Sequence, residues 1–161
     1  MNNEQLLQMY DAIRQQPDLL VKAAARKRLI NFARYMQPDL VLEPFHVVYY
    51  TLLDMFAHGK IRKMIVQQPP QHGKSEGSRR KLPAFMLGLD PDRKICIGSY
   101  AATIARDFNR DVQRIIDTPR YRELFPGTYL NGSNVVTMAN TYLRNSDVIE
   151  MVGRKGSLRV V

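Results

Sequence analysis

The sequence is short of most residues from which catalytic and metal sites are built. Its 161 residues hold one cysteine, Cys96, and three histidines, His46, His58 and His72. A single thiol excludes an intrachain disulfide and makes a reducing cytoplasm the expected home. These four residues have no spacing that would assemble a zinc site. No Gly-x-Ser-x-Gly elbow and no Cys/His pair offers a covalent nucleophile. Long apolar runs are missing too: none approaches the roughly 18 residues a membrane span needs. The polar opening, Met1 to Gln16, is unlike a signal peptide. Internal repeats and low-complexity tracts are absent. Acidic residues are in deficit, 15 against 24 Lys and Arg, which gives a net charge of +9 and a pI near 9.9. That surplus favours a polyanionic partner, held by attraction to phosphates rather than by base reading. A soluble basic domain without a nucleic-acid role is the alternative. The length suits one domain with its own core and is short for a complete nucleic-acid motor.

What is present is concentrated between Lys63 and Glu76. An apolar run, Met64-Ile65-Val66, stops at Pro69-Pro70, a polar loop follows, and Gly73-Lys74-Ser75 opens a helix-compatible stretch. Strand, tight loop, Gly-Lys-Ser and helix, in that order, make a phosphate-cradling P-loop. Backbone N–H groups converge there on an anion, and the positive helix end adds about half a charge. Lys74 reaches the outer phosphates and the Ser75 hydroxyl holds a magnesium ion. One position departs from the pattern, since Gln68 stands where the usual loop opens with glycine.

The rest of the chain arranges itself around that loop. Leu6, Leu7, Tyr10 and Ile13 predict a helix over Asn3 to Gln16, ended by Pro17. Asp18 then caps a second helix to about Met36 that carries the basic cluster Arg26-Lys27-Arg28. Phe45 to Phe56 is predicted helical, closed by Gly59, with apolar positions around most of its circumference, which suggests burial against a sheet. Pro44, Phe45 and His46 stand just upstream of the loop. They either meet a nucleotide base or serve as core packing and helix start. A helix over Lys74 to Gly88 holds Arg79-Arg80-Lys81, with Pro83 kinking or restarting it. Lys94 to Gly98 reads as a strand, and Ala101 to Asp117 as a helix. Arg106, Arg110 and Arg114 form a stripe on that helix, suited to a phosphate backbone or to pairing with Asp107 and Asp111. Tyr121 to Phe125 forms one more turn. Val135 to Leu143, Val148 to Val152 and Leu158 to Val161 are β-like and read as a small antiparallel excursion. The alternation predicts an α/β layered fold with a parallel sheet and flanking helices.

Hydrolysis would need more than a phosphate grip: an acidic residue at a strand end to hold magnesium, and a group to orient water. The nearest match after the loop, Val148-Ile149-Glu150, is poor. At this point the residues resemble a known family. Pro69-Pro70-Gln71-His72-Gly73-Lys74-Ser75-Glu76 is similar to the variant P-loop of the large terminase subunit of tailed bacteriophages, in which the opening glycine is commonly lost. Phe32 to Met36 with Pro44-Phe45-His46, Ile97 to Tyr100 with Ala105 and Arg110, and Arg120 to Pro126 resemble further segments of that family, over roughly Leu29 to Val161. The resemblance implies the ATPase half of a packaging motor that drives double-stranded DNA into a procapsid with ATP and Mg2+. It also implies a bacterial host cytoplasm, a portal protein and small terminase subunit as partners, and a homo-oligomeric ring. By position, Gln71, His72 and Gly73 form the phosphate loop, with Lys74, Ser75 and Glu76 following. Pro44, Phe45 and His46 lie on the adenine side, and Arg106, Arg110 and Arg114 are candidate DNA contacts. Residues 1–40 would be a helical N-terminal extension and 41–161 a P-loop ATPase domain lacking the acidic Walker B pair and the nuclease, so the chain reads as the front part of the family's protein. A non-catalytic basic DNA-binding or assembly module is the competing reading, and a small P-loop kinase or helicase-like ATPase ranks behind both.

Overall fold

The computed structural model describes Gln5, residues 17–136 and residues 141–161. Apart from Gln5, the helix expected over Asn3 to Gln16 lies outside the described residues. Pro17 opens α1 (Pro17–Lys27), a position that asks for no N–H. Asp18 sits inside the first turn, complementing the positive helix end rather than capping it. The single helix expected to run on to Met36 breaks at Arg28, whose backbone is extended, and α2 (Leu29–Met36) restarts beyond it. Arg28 offers α2 no side-chain cap. The cap comes instead from α3 (Pro44–Ala57), where buried Asp54 accepts the Leu29 N–H at 2.7 Å and pairs with Arg28 at 3.0 Å. Gly59, at φ 72°, follows the end of α3 as expected.

Helix α3 does not lie against a sheet as its composition suggested. It packs on α2 and on the helix after the loop. Tyr49, Tyr50, Leu53 and Ala57 form the buried stripe, while Phe45, Val47, Val48 and Leu52 stay exposed. The strand expected at Met64 to Val66 is also absent. The segment has the burial alternation of a strand, with Met64, Val66 and Gln68 half-buried and Ile65 90% exposed. Yet no described strand pairs with it. Met64 and Val66 instead face Leu53, Phe56 and Leu82 across a cavity of about 340 Å³. Side-chain packing on helices fixes its extension, and the ladder partner that would make it a strand is missing among the described residues.

After the loop the chain turns helical at Lys74, widens into a π-helical segment (Glu76–Lys81) and continues as α4 (Leu82–Leu89). The Leu82 N–H donates five residues back, to the Gly77 carbonyl. This wider turn admits Pro83, which has no N–H to give, into the first turn of α4 without ending the helix.

The remaining elements are β1 (Lys94–Ile97), α5 (Ala102–Asp117), α6 (Pro119–Leu124), β2 (Val148–Glu150) and β3 (Ser157–Val160). They form a mixed sheet in the order β1-β3-β2, with β1 parallel and β2 antiparallel to β3. The chain is thus a mixed α/β protein, about half helical, with three strands in its sheet. The tail has the antiparallel pairing expected of it, between β2 and β3, but it is not peripheral to the parallel part: β3 also pairs parallel with β1 and is the central strand. A turn at Gly153, φ 72°, folds β2 back on β3. Gly156 then lets β3 start against Pro91, whose carbonyl oxygen would lie 2.1 Å from an added β-carbon. Val135 to Leu143 forms no described strand; Val135 makes only an isolated bridge to Arg144, and residues 137–140 lie outside the described set. No described helix is long and apolar enough to cross a membrane.

The core is one cluster that includes Leu29, Phe32 and Ala33 of α2, so residues 29–36 are part of the body of the fold. At its centre Phe32, Phe85, Tyr121 and Phe125 pack with ring centroids 5.2 to 6.4 Å apart. The fully buried Tyr121 satisfies its hydroxyl by donating to the Ala84 carbonyl at 2.8 Å. Helix α6, only six residues long, is held through this ring.

Candidate nucleotide-phosphate loop

The loop has two left-handed residues, Gln71 at φ 63° and Gly73 at φ 73°, immediately ahead of the helix that starts at Lys74. Left-handed geometry is costly for a side chain such as that of Gln71 and free for glycine. Alternation of this kind turns successive N–H groups toward one side, the arrangement that makes anion-binding concavities. The Gly77 N–H donates to the Gly73 carbonyl at 3.0 Å, which closes the first helical turn. Ahead of it, the first N–H groups of the helix have no acceptor within the helix, the feature that makes a helix start a candidate anion site.

Three neighbours brace the loop. The Tyr49 hydroxyl of α3 and the Ser78 hydroxyl both donate to the Lys74 carbonyl, at 2.7 and 2.8 Å. Gly77 sits flat on the Tyr49 ring, since an added β-carbon would lie 2.6 Å from it. The Lys74 ammonium reaches back to the Gln68 carbonyl at 3.4 Å, a long contact that leaves it free to leave for a stronger acceptor. Gln68, the residue in place of the missing glycine, thus supplies the resting partner of the loop lysine through its backbone.

Pro44, Phe45 and His46 are brought to the same place. Glu43 and His46 form a reciprocal capping box in which the Glu43 N–H donates to His46 Nδ1 at 3.0 Å. This leaves Nε2 as the protonated nitrogen, and it comes within 3.2 Å of where a β-carbon on Gly73 would stand. Both the helix-start role and a place beside the loop are therefore met by one histidine. Phe45, 41% exposed, stacks on His46 at 3.9 Å and lies 5.7 Å from His72. His72 is exposed and its Nδ1 donates to the Pro70 carbonyl at 2.7 Å, which ties the loop tip to itself. Beside Phe45 an apolar groove of about 360 Å³ runs between α3 and the extended segment, lined by Val48, Tyr49, Leu52, Met64 and Val66 among others.

Ser75 lies in the first helical turn, half-buried. The Glu76 carboxylate turns along the helix to Arg80 at 2.8 Å and Lys81 at 3.2 Å. Burial alone would raise its pKa, but the two cations outweigh burial and hold it below the ordinary carboxylate range. The run Arg79-Arg80-Lys81 is engaged within the fold. Arg79 stacks over the Phe108 ring at 4.8 Å, Arg80 also pairs with Asp111 at 2.7 Å, and Lys81 is buried. Arg26 of the earlier basic cluster donates to the Glu123 and Leu124 carbonyls at the end of α6.

The arginine stripe on α5 is separate from the loop cluster. Arg106 pairs with Asp147 at 2.6 Å, Arg110 with Asp107 at 2.8 Å, and Arg114 with Asp111 at 2.9 Å. Each guanidinium therefore has a carboxylate partner, Asp111 being shared between Arg114 and Arg80. Tyr49, Ser78 and Gly77 are the site residues that sequence reasoning missed. Tyr49 lay in a helix read as core, and only the fold reveals that its hydroxyl reaches the loop. Among the described residues no group of three or more His, Cys, Asp or Glu is placed to hold a metal ion. Comparison with known proteins finds no matching family model, no matching curated protein and no matching solved structure.

Proposed function

We propose that the stretch from Gln68 to Ser75 binds the phosphates of ATP, and that the chain is the phosphate-gripping part of a DNA-packaging ATPase of the large-terminase type. The observation that carries the reading is the pair of left-handed residues, Gln71 and Gly73, directly before a helix that opens with Lys74. The convergence of Phe45, His46 and His72 on that loop from two separate stretches of chain supports it. Loop N–H groups and the Lys74 ammonium would hold the phosphates, and the Ser75 hydroxyl would supply a ligand to Mg2+. The metal, when bound with nucleotide, neutralises phosphate charge and orients the transferring group. The Phe45 ring and the groove beside it offer an apolar surface for adenine. On this reading the P-loop class of α/β fold is the natural one for residues 41–161, DNA is the partner, and the bacterial cytoplasm the compartment.

A fluorescent ATP analogue with Mg2+ tests this directly. The protein should bind it, and Lys74→Ala should weaken binding by about tenfold or more, as loss of a charged hydrogen bond does. Phe45→Ala should weaken ATP while leaving tripolyphosphate affinity unchanged. Binding that ignores Lys74→Ala, or ATP turnover that survives it, would overturn the assignment.

A further inference from the structure

The sheet is covered on one face. Ile97, Ile149, Leu158 and Val160 are buried on the side of α5, and the alternate positions Lys94, Cys96, Val148, Glu150, Ser157 and Arg159 form the other face. The turn between β2 and β3 adds Arg154 and Lys155, so that a concave surface of about 490 Å³ opens over the strands, with Tyr142 on its wall. Strands in parallel pairing are ordinarily buried on both faces, beneath apolar side chains. This face carries charge instead. Lys94, Arg154, Lys155 and Arg159 are all exposed, and among the described residues none of them forms an ion pair. Two carboxylates lie near them, and each already accepts a backbone N–H: Glu150 from Leu143 at 2.9 Å and Asp92 from Lys155 at 2.8 Å.

We infer that this open sheet face seats the phosphate backbone of duplex DNA, in preference to the arginine stripe on α5. The contrast between the two surfaces decides it. Each stripe arginine is already partnered by an aspartate, so an arriving phosphate displaces an existing ion pair. The four cations of the sheet face give up no ion pair on meeting phosphates, so the release of cations condensed on the DNA, the source of favourable free energy in backbone binding, is not offset. Cys96 and Ser157 between them are small, so a phosphate meets no bulk at the centre of the face. The choice of DNA over other polyanions rests on the packaging-motor reading; the surface itself does not depend on the nucleotide site.

The test uses the full chain and a labelled duplex of about 30 base pairs, with anisotropy followed between about 50 and 200 mM salt. Lys94→Gln with Arg159→Gln should weaken binding about tenfold or more and lower the salt slope by about 2, one for each cation removed. Arg106→Gln, Arg110→Gln and Arg114→Gln together should change affinity by less than about threefold, since each of these guanidiniums already has an aspartate as partner. Cys96 is the only thiol in the chain and marks the centre of the face. Duplex DNA should slow its alkylation by maleimide, whereas MgATP alone should not. Both substituted side chains are exposed, so circular dichroism and melting temperature should match the parent protein. The inference falls if DNA is not bound at the low-salt end, if the paired substitution leaves affinity unchanged, if only the α5 variant loses DNA, or if Cys96 reacts at the same rate with DNA present. Self-association lost in the sheet-face variant with DNA binding intact would assign the face to a second copy and likewise overturn it. Lys74→Ala separates the two readings, because it should weaken nucleotide binding and leave DNA affinity as it was.

Discussion

At the scale of single residues, polar groups set much of the architecture. Asp54 holds the start of α2 by taking the Leu29 N–H while pairing with Arg28. Asp54→Ala leaves that N–H buried without an acceptor, and the expected cost is about 1–3 kcal/mol. A lower urea midpoint at unchanged m-value would show it. Glu76 gives a pH signature. Its folded-state pKa is lowered, so its contribution is complete above the unfolded-state value and is lost as pH falls through the folded one. Stability should therefore decline below about pH 4.5, in part through this group. Glu76→Gln should be less stable at neutral pH, where it leaves the buried Lys81 without its counter-charge, and should show a shallower acid decline. Equal slopes in the two proteins would contradict this. In the loop, Gly73→Ala forces a β-carbon into left-handed geometry, at about 1–2 kcal/mol, and presses on His46. Its effect should appear chiefly as weakened ATP binding.

At the scale of elements, the π-helical segment explains how one helix serves two demands. Its first turn must present Lys74 to the loop, and its last must pass Pro83 and bury Phe85 and Leu87. Gly77 lies at the close approach to Tyr49, so Gly77→Ala should push the first turn off α3 and reduce both stability and nucleotide affinity. Tyr49→Phe, which keeps the ring but removes the donor to the Lys74 carbonyl, should affect affinity more than stability. These elements also show what sequence alone made legible. Helical spacing located α5, and the breakers Pro44 and Gly59 and the Gly-Lys-Ser start located α3 and the helix after the loop, all to within a few residues, because such signals are local. The Gly73-Lys74-Ser75 order located the loop, because left-handed glycine and a following helix are local too. The segment at Met64 to Val66 looked like a strand because it is a short apolar run rich in β-branched residues, yet a strand is defined by its partner, and pairing is not a local property. The same limit hid the role of β3, whose parallel contact with β1 joins residues some sixty apart. The break at Arg28 was hidden for another reason: its stabilising carboxylate comes from a different helix.

At the scale of the whole molecule, the loop and the core are mechanically joined. Tyr49 and Gly77 link the loop helix to α3, α3 holds α2 through Asp54, and α2 meets α4 and α6 in the ring of Phe32, Phe85, Tyr121 and Phe125. The sheet connects to the same body through α5 and through the Arg93 guanidinium, which donates to the Ala57 carbonyl at the end of α3 at 2.9 Å. A ligand seated on the loop should then stabilise the entire domain and not the loop alone. Binding to the folded state at about 100 times Kd adds about 2.7 kcal/mol, which for a chain of this size raises the melting temperature by about 5–10 °C. MgATP should produce a shift of that order in a single cooperative transition, and at the same MgATP concentration Lys74→Ala should cut it to about half or less. Amide exchange should slow in step, at the loop and also at Leu29 and Tyr121, both distant from it along the chain. If the melting temperature does not move while the fluorescent analogue still binds, the loop opens independently of the core. The chain of contacts from Tyr49 to Phe32 would then carry no coupling.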